Sequence, residues 1–266
     1  MTNSTIKVTK NGSIATVTLD NPDKHNAFDD AIIEAMTVAF SEIQSDDSVR
    51  VMVLRANGKN FSAGGDLEWM KRMATYSEEE NLIDARKLAN MLKTLNGLSK
   101  PTIARVQGAA FGGAVGLVSC CDIAVATSKA SFSLSEVKIG LLPATIAPYV
   151  INAIGSRAAR RYFITAERFS AEAAHQLGLV SEICEEEELD NEVSRFIAAL
   201  LKNSPAAVNA AKVLVSDLSN ETIDDQLIED TCQRIASIRA SIEGQEGLTA
   251  FLEKRAPSWV TPNKSH

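Results

Sequence analysis

Cysteine is scarce in this chain: four residues among 266, Cys120, Cys121, Cys184 and Cys232. Two of them are adjacent, and no pair is spaced with a histidine as metal ligands would be. A disulfide framework and a structural metal site are therefore both disfavoured, and reduced, mostly buried thiols are expected. Of the three histidines, His25 and His175 stand too far apart for a local metal pair and read as solvated or packing residues, so no metal is expected. Long apolar runs are also missing. The stretch from Thr102 to Ala126 is broken by Arg105, Gln107 and several glycines, short of a membrane span. The polar start MTNSTIKVTKNG has no apolar core of a signal peptide, and a cytoplasmic location is expected. Positive charge is in deficit. A net charge of −7 with no basic run argues against nucleic acid or an anionic membrane as partner, though it leaves room for a local basic phosphate pocket. The chain lacks G-x-G-x-x-G, G-K-[ST] and G-x-S-x-G, which removes the main grounds for a dinucleotide site, a P-loop or a serine nucleophile.

What is present reads as strands and helices in alternation. Ile6–Lys10 and Ile14–Leu19 alternate in polarity around Asn11-Gly12 and predict a hairpin. Asp29 or Asp30 can cap a helix with Ile32, Ile33, Met36, Ala39, Phe40 and Ile43 on one side. Val49 to Leu54 is a buried-strand candidate, and a short helix is expected over Leu67 to Met73. Ser77 and Glu80 form a capping box for a helix reaching about Leu95. Strands are expected at 102–106, 123–126, 131–134 and 179–183. From Pro205 onward, helix follows helix. The pattern is that of an α/β layered core with a C-terminal helical appendage.

Two glycine-rich stretches echo each other. Gly58 to Gly65 and Gly108 to Gly113 each follow a strand, carry Gly-x-x-Phe and then Gly-Gly, and lead into a helix. A glycine pair at a helix start permits tight bending and close approach of a ligand. The helix start presents free N–H groups and the positive end of its dipole. Two such loops brought together can aim two donors at one oxygen, which is the construction of an oxyanion hole. Taken singly, either loop is as well explained by close helix–sheet packing.

Four stretches in order resemble the signatures of the crotonase (enoyl-CoA hydratase/isomerase) superfamily: residues 21–27 (NPDKHNA), 61–67 (FSAGGDL), 108–122 and 132–143 (FSLSEVKIGLLP). The likeness continues through Ala171 to Val180 and Phe251 to Arg255, and so covers nearly the whole chain. It implies a core of repeated ββα units over residues 1–203 and a helical trimerisation region over 204–266, giving a homotrimer or a hexamer made of two trimers. It implies an acyl-CoA thioester as substrate, coenzyme A being part of that substrate and no separate cofactor being needed. Gly65 and Gly113 would supply the two oxyanion amides. Lys24, Ala27, Ala63, Asp66 and Leu67 would line the coenzyme A groove, and Phe251 and Lys254 would approach its adenine or phosphates.

In the two-glutamate hydratases of this superfamily one Glu activates water and the other handles the proton at the α-carbon. Glu136 matches the second position. The first falls on Gly116, which has no titratable group. Three accounts are open: Glu136 does both jobs, the substrate fills the space beside Gly116, or the enzyme is an isomerase or decarboxylase that needs one base. Residues 69–73, 76–81, 120–122 and 143–150 further resemble bacterial methylglutaconyl-CoA hydratases. Such a substrate carries a distal carboxylate, for which Lys71, Arg72, Arg86 and Arg157 are candidate partners. Hydration of a branched enoyl-CoA in leucine or isoprenoid breakdown is the expected function. A non-catalytic RNA- or protein-binding paralogue is the reading from another class, opposed by the acidic charge and by Glu136.

Overall fold

The main sheet has six strands, the inner ones buried on both faces and the first, at the edge, exposed apart from Ile6. In a computed structural model, which describes residues 5–219 and 221–260, β1 (Ile6–Asn11) and β2 (Ile14–Leu19) form an antiparallel hairpin. Asn11 pairs with Ile14, so the turn residues are Gly12 and Ser13, with Gly12 at φ +57. The turn thus sits one residue later than the Asn-Gly pair suggested. α1 (Asp30–Ser45) is capped by the Asp29 side chain, which accepts from Ile32 N. It buries the six residues expected of it, Ile32, Ile33, Met36, Ala39, Phe40 and Ile43. β3 (Val51–Ala56) runs parallel to β2, and all but Arg55 of its residues are buried. That near-continuous burial is what a parallel strand covered on both faces requires.

The crossover from β3 to β4 (Thr102–Val106) carries α2 (Leu67–Met73) and α3 (Glu78–Asn96). The capping box of Ser77 and Glu80 is formed. After β4 the chain turns at Gly108 into β5 (Ala109–Phe111), a strand the sequence did not announce, and then into α4 (Gly113–Cys120). β6 (Ile123–Thr127) returns to the main sheet and β7 (Ser131–Ser133) pairs with β5. With β8 (Phe169–Ser170) and β9 (Glu182–Cys184) from further along the chain, the order is β1-β2-β3-β4-β6-β9 in the main sheet and β5-β7-β8 in the small one. β4-β5-α4 is one turn of a ββα repeat, and β6 and β7 repeat its two strands, as the resemblance implies.

α5 (Ala147–Thr165) bends at Gly155, and β8 (Phe169–Ser170) and α6 (Ala171–Gln176) follow. The last strand, β9, is Glu182–Cys184 and not 179–183. Leu179 and Val180 are held instead by their amides, which donate back to Ala174 O at 2.9 and 3.3 Å past Gly178 at φ +87. They end α6 and are buried as its apolar stop, which is why they read as a strand. His175 packs there too, its Nδ1 3.0 Å from Val180 O.

The chain divides into two compact units. One comprises residues up to Leu98 together with Thr102–Ser194; the other comprises Ser99–Pro101 and residues from Arg195 onward. The division falls within α7 (Leu189–Leu201). The second unit is helical, with α8 (Pro205–Leu218), α9 (Asp225–Ala240) and α10 (Ile242–Leu252). Among the described residues no helix is long and apolar enough to cross a membrane, and no cluster of three or more His, Cys, Asp or Glu could hold a metal. All four cysteines are free thiols; contrary to expectation only Cys120 is buried, and Cys232 is exposed.

Candidate active site

The two glycine loops meet. Ser62 and Ala110 form a parallel bridge: Ser62 N donates to Ala109 O and Phe111 N donates to Ser62 O, both at 3.0 Å. Beyond that bridge the first loop runs on to Gly65 and the second to Gly113, the first residue of α4. Burial alternates along the first loop. Ser62, Gly64 and Asp66 are buried, whereas Ala63 and Leu67 are exposed and Gly65 is partly so.

Phe28 joins the two loops. Its N–H donates to Gly64 O at 2.9 Å and its carbonyl accepts from Asp66 N at 3.0 Å. A parallel bridge of this kind turns the N–H of the intervening residue, Gly65, away from Phe28. Among the described residues that amide donates to nothing. The Phe28 ring lies against Gly113, where a Cβ would fall 2.7 Å from its Cε2. Gly113 is the first residue of α4, so its amide is one of those a helix cannot satisfy internally. Gly112 precedes it at φ +56 and ψ −124, a conformation open in practice to glycine alone. Both glycines singled out in the sequence thus have amides without a partner among the described residues, Gly65 framed by the backbone of Phe28 and Gly113 lying against its ring.

Glu136 starts a 3₁₀ turn, Glu136–Ile139, directly after β7. Gly112 N donates to Ser133 O at 2.8 Å and Leu141 N to Glu136 O at 3.0 Å, which fixes the turn against the second glycine loop. Its carboxylate covers Gly112: a Cβ there would lie 3.2 Å from Oε1. The other oxygen, Oε2, is buried with no hydrogen-bond partner among the described residues. Burial pushes the carboxyl above its ordinary pKa range. A half-buried acid with one oxygen unpaired, lying over the glycine pair that opens α4, can exchange protons with a bound molecule.

The residues expected along the coenzyme groove stand on the first-loop side. Lys24 ends a short 3₁₀ turn, and its Nζ donates to Asp66 Oδ2 at 2.8 Å. Asp66 also caps α2, accepting from Glu68 N and Trp69 N, and the hydrogen bond from Lys24 holds its carboxyl below the usual range. Its side chain is therefore occupied with structure. Ala27 N donates to Lys24 O and Ala63 N to His25 O, each at 3.0 Å, so both alanines enter the arrangement through backbone atoms. Leu67 is 72% exposed. Phe251, 81% exposed, and Lys254, at φ +57, belong to the second unit.

Gly116 requires a correction. The glycine does not open a space for substrate or water. A Cβ there would lie 2.3 Å from Ile146 Cγ2 and 3.5 Å from Leu92 Cδ2. Ile146, at the start of α5 and 1% exposed, fills the place, and Gly116 is a packing glycine. Of the cations considered for a distal carboxylate, Lys71 pairs with Glu68 at 2.7 Å and Arg72 with Asp30 at 2.6 Å. Arg86 and Arg157 are exposed and make no ion pair among the described residues.

Sequence reasoning passed over three carboxamides, Asn26, Asn60 and Gln107, that bind these loops together. Asn26 lies inside the first quoted stretch, and a buried, fully used Asn leaves no periodic signature that could have singled it out.

A family model described as enoyl-CoA hydratase/isomerase matches residues 9–262. Among solved structures, an enoyl-CoA hydratase from Shewanella pealeana superposes with a TM-score of 0.94 at 49% identity, covering 97% of each chain. A short-chain-enoyl-CoA hydratase of Clostridium acetobutylicum is 30% identical over 92% of this chain and 94% of that protein. A trans-2-decenoyl-[acyl-carrier-protein] isomerase of Streptococcus mutans is 31% identical over 93% of this chain and 94% of that protein.

Proposed function

The chain belongs to the enoyl-CoA hydratase/isomerase family, and we propose that within it this enzyme adds water to a branched α,β-unsaturated acyl-CoA, methylglutaconyl-CoA or a close relative, with Glu136 as its one acid–base group. The observation that carries the reading is the Glu136 carboxylate, which lies over Gly112 with Oε2 buried and unpartnered. The thioester oxygen would take the amides of Gly65 and Gly113. Glu136 removes a proton from water as the water oxygen bonds to the β-carbon. The double-bond electrons move toward the thioester, and the enolate oxygen is stabilised by the two N–H donors. Glu136 then returns the proton to the α-carbon, so that one water is added across the double bond.

One carboxyl group suffices on energetic grounds. A positioned acid–base group contributes roughly 100- to 10,000-fold, so the lack of a second one lowers a rate without removing the reaction. The raised pKa suits the task, because the acid form must also donate to carbon near neutral pH. It predicts an acid limb of the pH–rate profile above the ordinary carboxylate range. A second reading, movement of a double bond by the same group, is favoured by one observation: Ile146 fills the place beside Gly116, and an isomerase needs a single base.

The distal carboxylate of methylglutaconyl-CoA calls for a cation, and Arg86 and Arg157 are the candidates with no ion pair among the described residues. The exposed Ile228, Ile235, Ile242 and Leu248 of the helical unit support assembly into a trimer or hexamer. The deciding experiment is a panel of thioesters, including methylglutaconyl-CoA, crotonyl-CoA and a 3-enoyl-CoA, followed by enoyl absorbance and product mass. Hydration with methylglutaconyl-CoA preferred supports the proposal. Double-bond migration without water uptake replaces it with the isomerase, and a monomeric mass at micromolar concentration removes the assembly.

A further inference from the structure

Asn26 is 2% exposed and sits at φ +53, a backbone region in which asparagine is among the few tolerated side chains. Its Oδ1 accepts from Asn21 N at 2.9 Å. Its Nδ2 donates to Asn57 O at 2.8 Å and to Asn60 O at 2.9 Å. Both carbonyls belong to the connection that leads from β3 into the first glycine loop. The brace continues from there. Asn60 Oδ1 accepts from Ala109 N at 3.1 Å, and Gln107 Nε2 donates to Ala56 O at 2.8 Å and to Gly58 O at 3.1 Å. Three neutral carboxamides thus tie together residues 21–28, 56–65 and 107–113. Those are the segments that deliver Phe28, Gly65 and Gly113.

We propose that Asn26 is a positioning residue for the oxyanion hole: by clamping the 57–60 connection to the segment that carries Phe28, it holds the Gly65 amide in line with that of Gly113. The proposal rests on the reading that those two amides receive the thioester oxygen. The lever is short. Two residues after Asn26, the backbone of Phe28 frames Gly65 from both sides, and the Phe28 ring touches Gly113. An amide is the group that can do this, because it offers one acceptor and two donors on a small side chain and carries no charge into a buried place. An aspartate of the same shape would keep the contact to Asn21 N but turn a bare oxygen toward two carbonyls.

The test reads the oxyanion hole directly. Carbonyl-labelled butyryl-CoA, a saturated thioester that cannot be hydrated, is bound to the full chain, and the infrared frequency of its thioester C=O is recorded. In the wild type the band moves to lower frequency, because two N–H donors draw charge onto the oxygen. In Asn26→Asp that displacement shrinks and kcat for the preferred enoyl-CoA falls about 10-fold or more, as sub-ångström misplacement in a site does. KM and the Kd of butyryl-CoA change by less than about threefold. Should Asn26→Asp fail to fold, Asn60→Ala, which cuts the same brace at its link to Ala109, carries the test with the same expected result. A lowered unfolding midpoint with band position and kcat unchanged overturns the proposal and leaves the site reading standing. A wild type whose thioester band does not move at all overturns both.

Discussion

The glycine loops and the turn bearing Glu136 are built on opposite terms. In and beside the loops the buried polar groups are used: Asn26 makes three hydrogen bonds, and Asn60, Gln107 and Asp66 each make two or more. Beside them Glu136 keeps one buried oxygen with no partner among the described residues. A buried polar group left unpaired costs about 1–3 kcal/mol, so such a group persists where something other than stability retains it. On the proposed function, the loops are fastened so that two backbone amides stay still, and the carboxylate is left unfastened so that it can trade protons.

The comparison breaks first at Glu136. Glu136→Gln keeps shape and removes the titrating group, and turnover of the preferred enoyl-CoA should fall about 100-fold or more with thioester binding nearly intact. Near-normal turnover would show that the unpaired oxygen is incidental. The next largest effect belongs to Gly113→Ala, whose methyl group would meet the Phe28 ring at 2.7 Å. Because Phe28 is also hydrogen-bonded to Gly64 and Asp66, on either side of Gly65, its displacement bears on both loops, and kcat should drop toward the roughly 100-fold loss expected for one oxyanion donor. Gly65→Ala is the control. Its Cβ would rest 3.6 Å from the Trp69 ring, an ordinary contact, so its unfolding free energy should stay within about 0.5 kcal/mol of wild type.

Gly116 sharpens the contrast between a glycine that serves chemistry and one that serves packing. Gly116→Ala should destabilise by about 1–3 kcal/mol through overpacking against Ile146. Ile146→Ala removes the Cγ2 that the new methyl would meet at 2.3 Å, so the double variant should lose less than the sum of the two single variants in a denaturant titration, and additive losses would mean that the two positions do not compete for space. The smallest effect is on stability against pH. Burial raises the Glu136 pKa in the folded state. The folded state therefore binds the proton more tightly than the unfolded one, and stability is lost as pH rises from the unfolded pKa through the folded one. Glu136→Gln escapes that loss. Its melting temperature should exceed that of the wild type at about pH 7 and converge with it toward about pH 4, near the unfolded glutamate pKa. A difference that does not change with pH would place its cause in packing and not in the charge.

Much of the frame was legible along the chain because its signals are local. The apolar side of α1, the Ser77–Glu80 box, the span of α2 and the glycine pairs before α2 and α4 each depend on residues within a turn or two of one another. The family likeness of the four stretches reached further, and brought Gly65, Gly113 and Glu136 forward as a set. What local pattern could not yield were β5 and β8, three and two residues long, which exist only because β7 runs between them and pairs with both.

The amino-acid sequence by itself determined the layered α/β order, the helix faces and caps, the acidic surface and the presence of one carboxylic acid at the family's position. Only the tertiary structure decided what each glycine is for. Gly113 and Gly116 stand three residues apart on one short helix and look alike in the chain, yet one presents a free amide beside Phe28 and the other is closed by Ile146. A glycine has no side chain to reveal its use. Its role is set by whichever distant atoms pack into the space it leaves, and those atoms arrive through the fold.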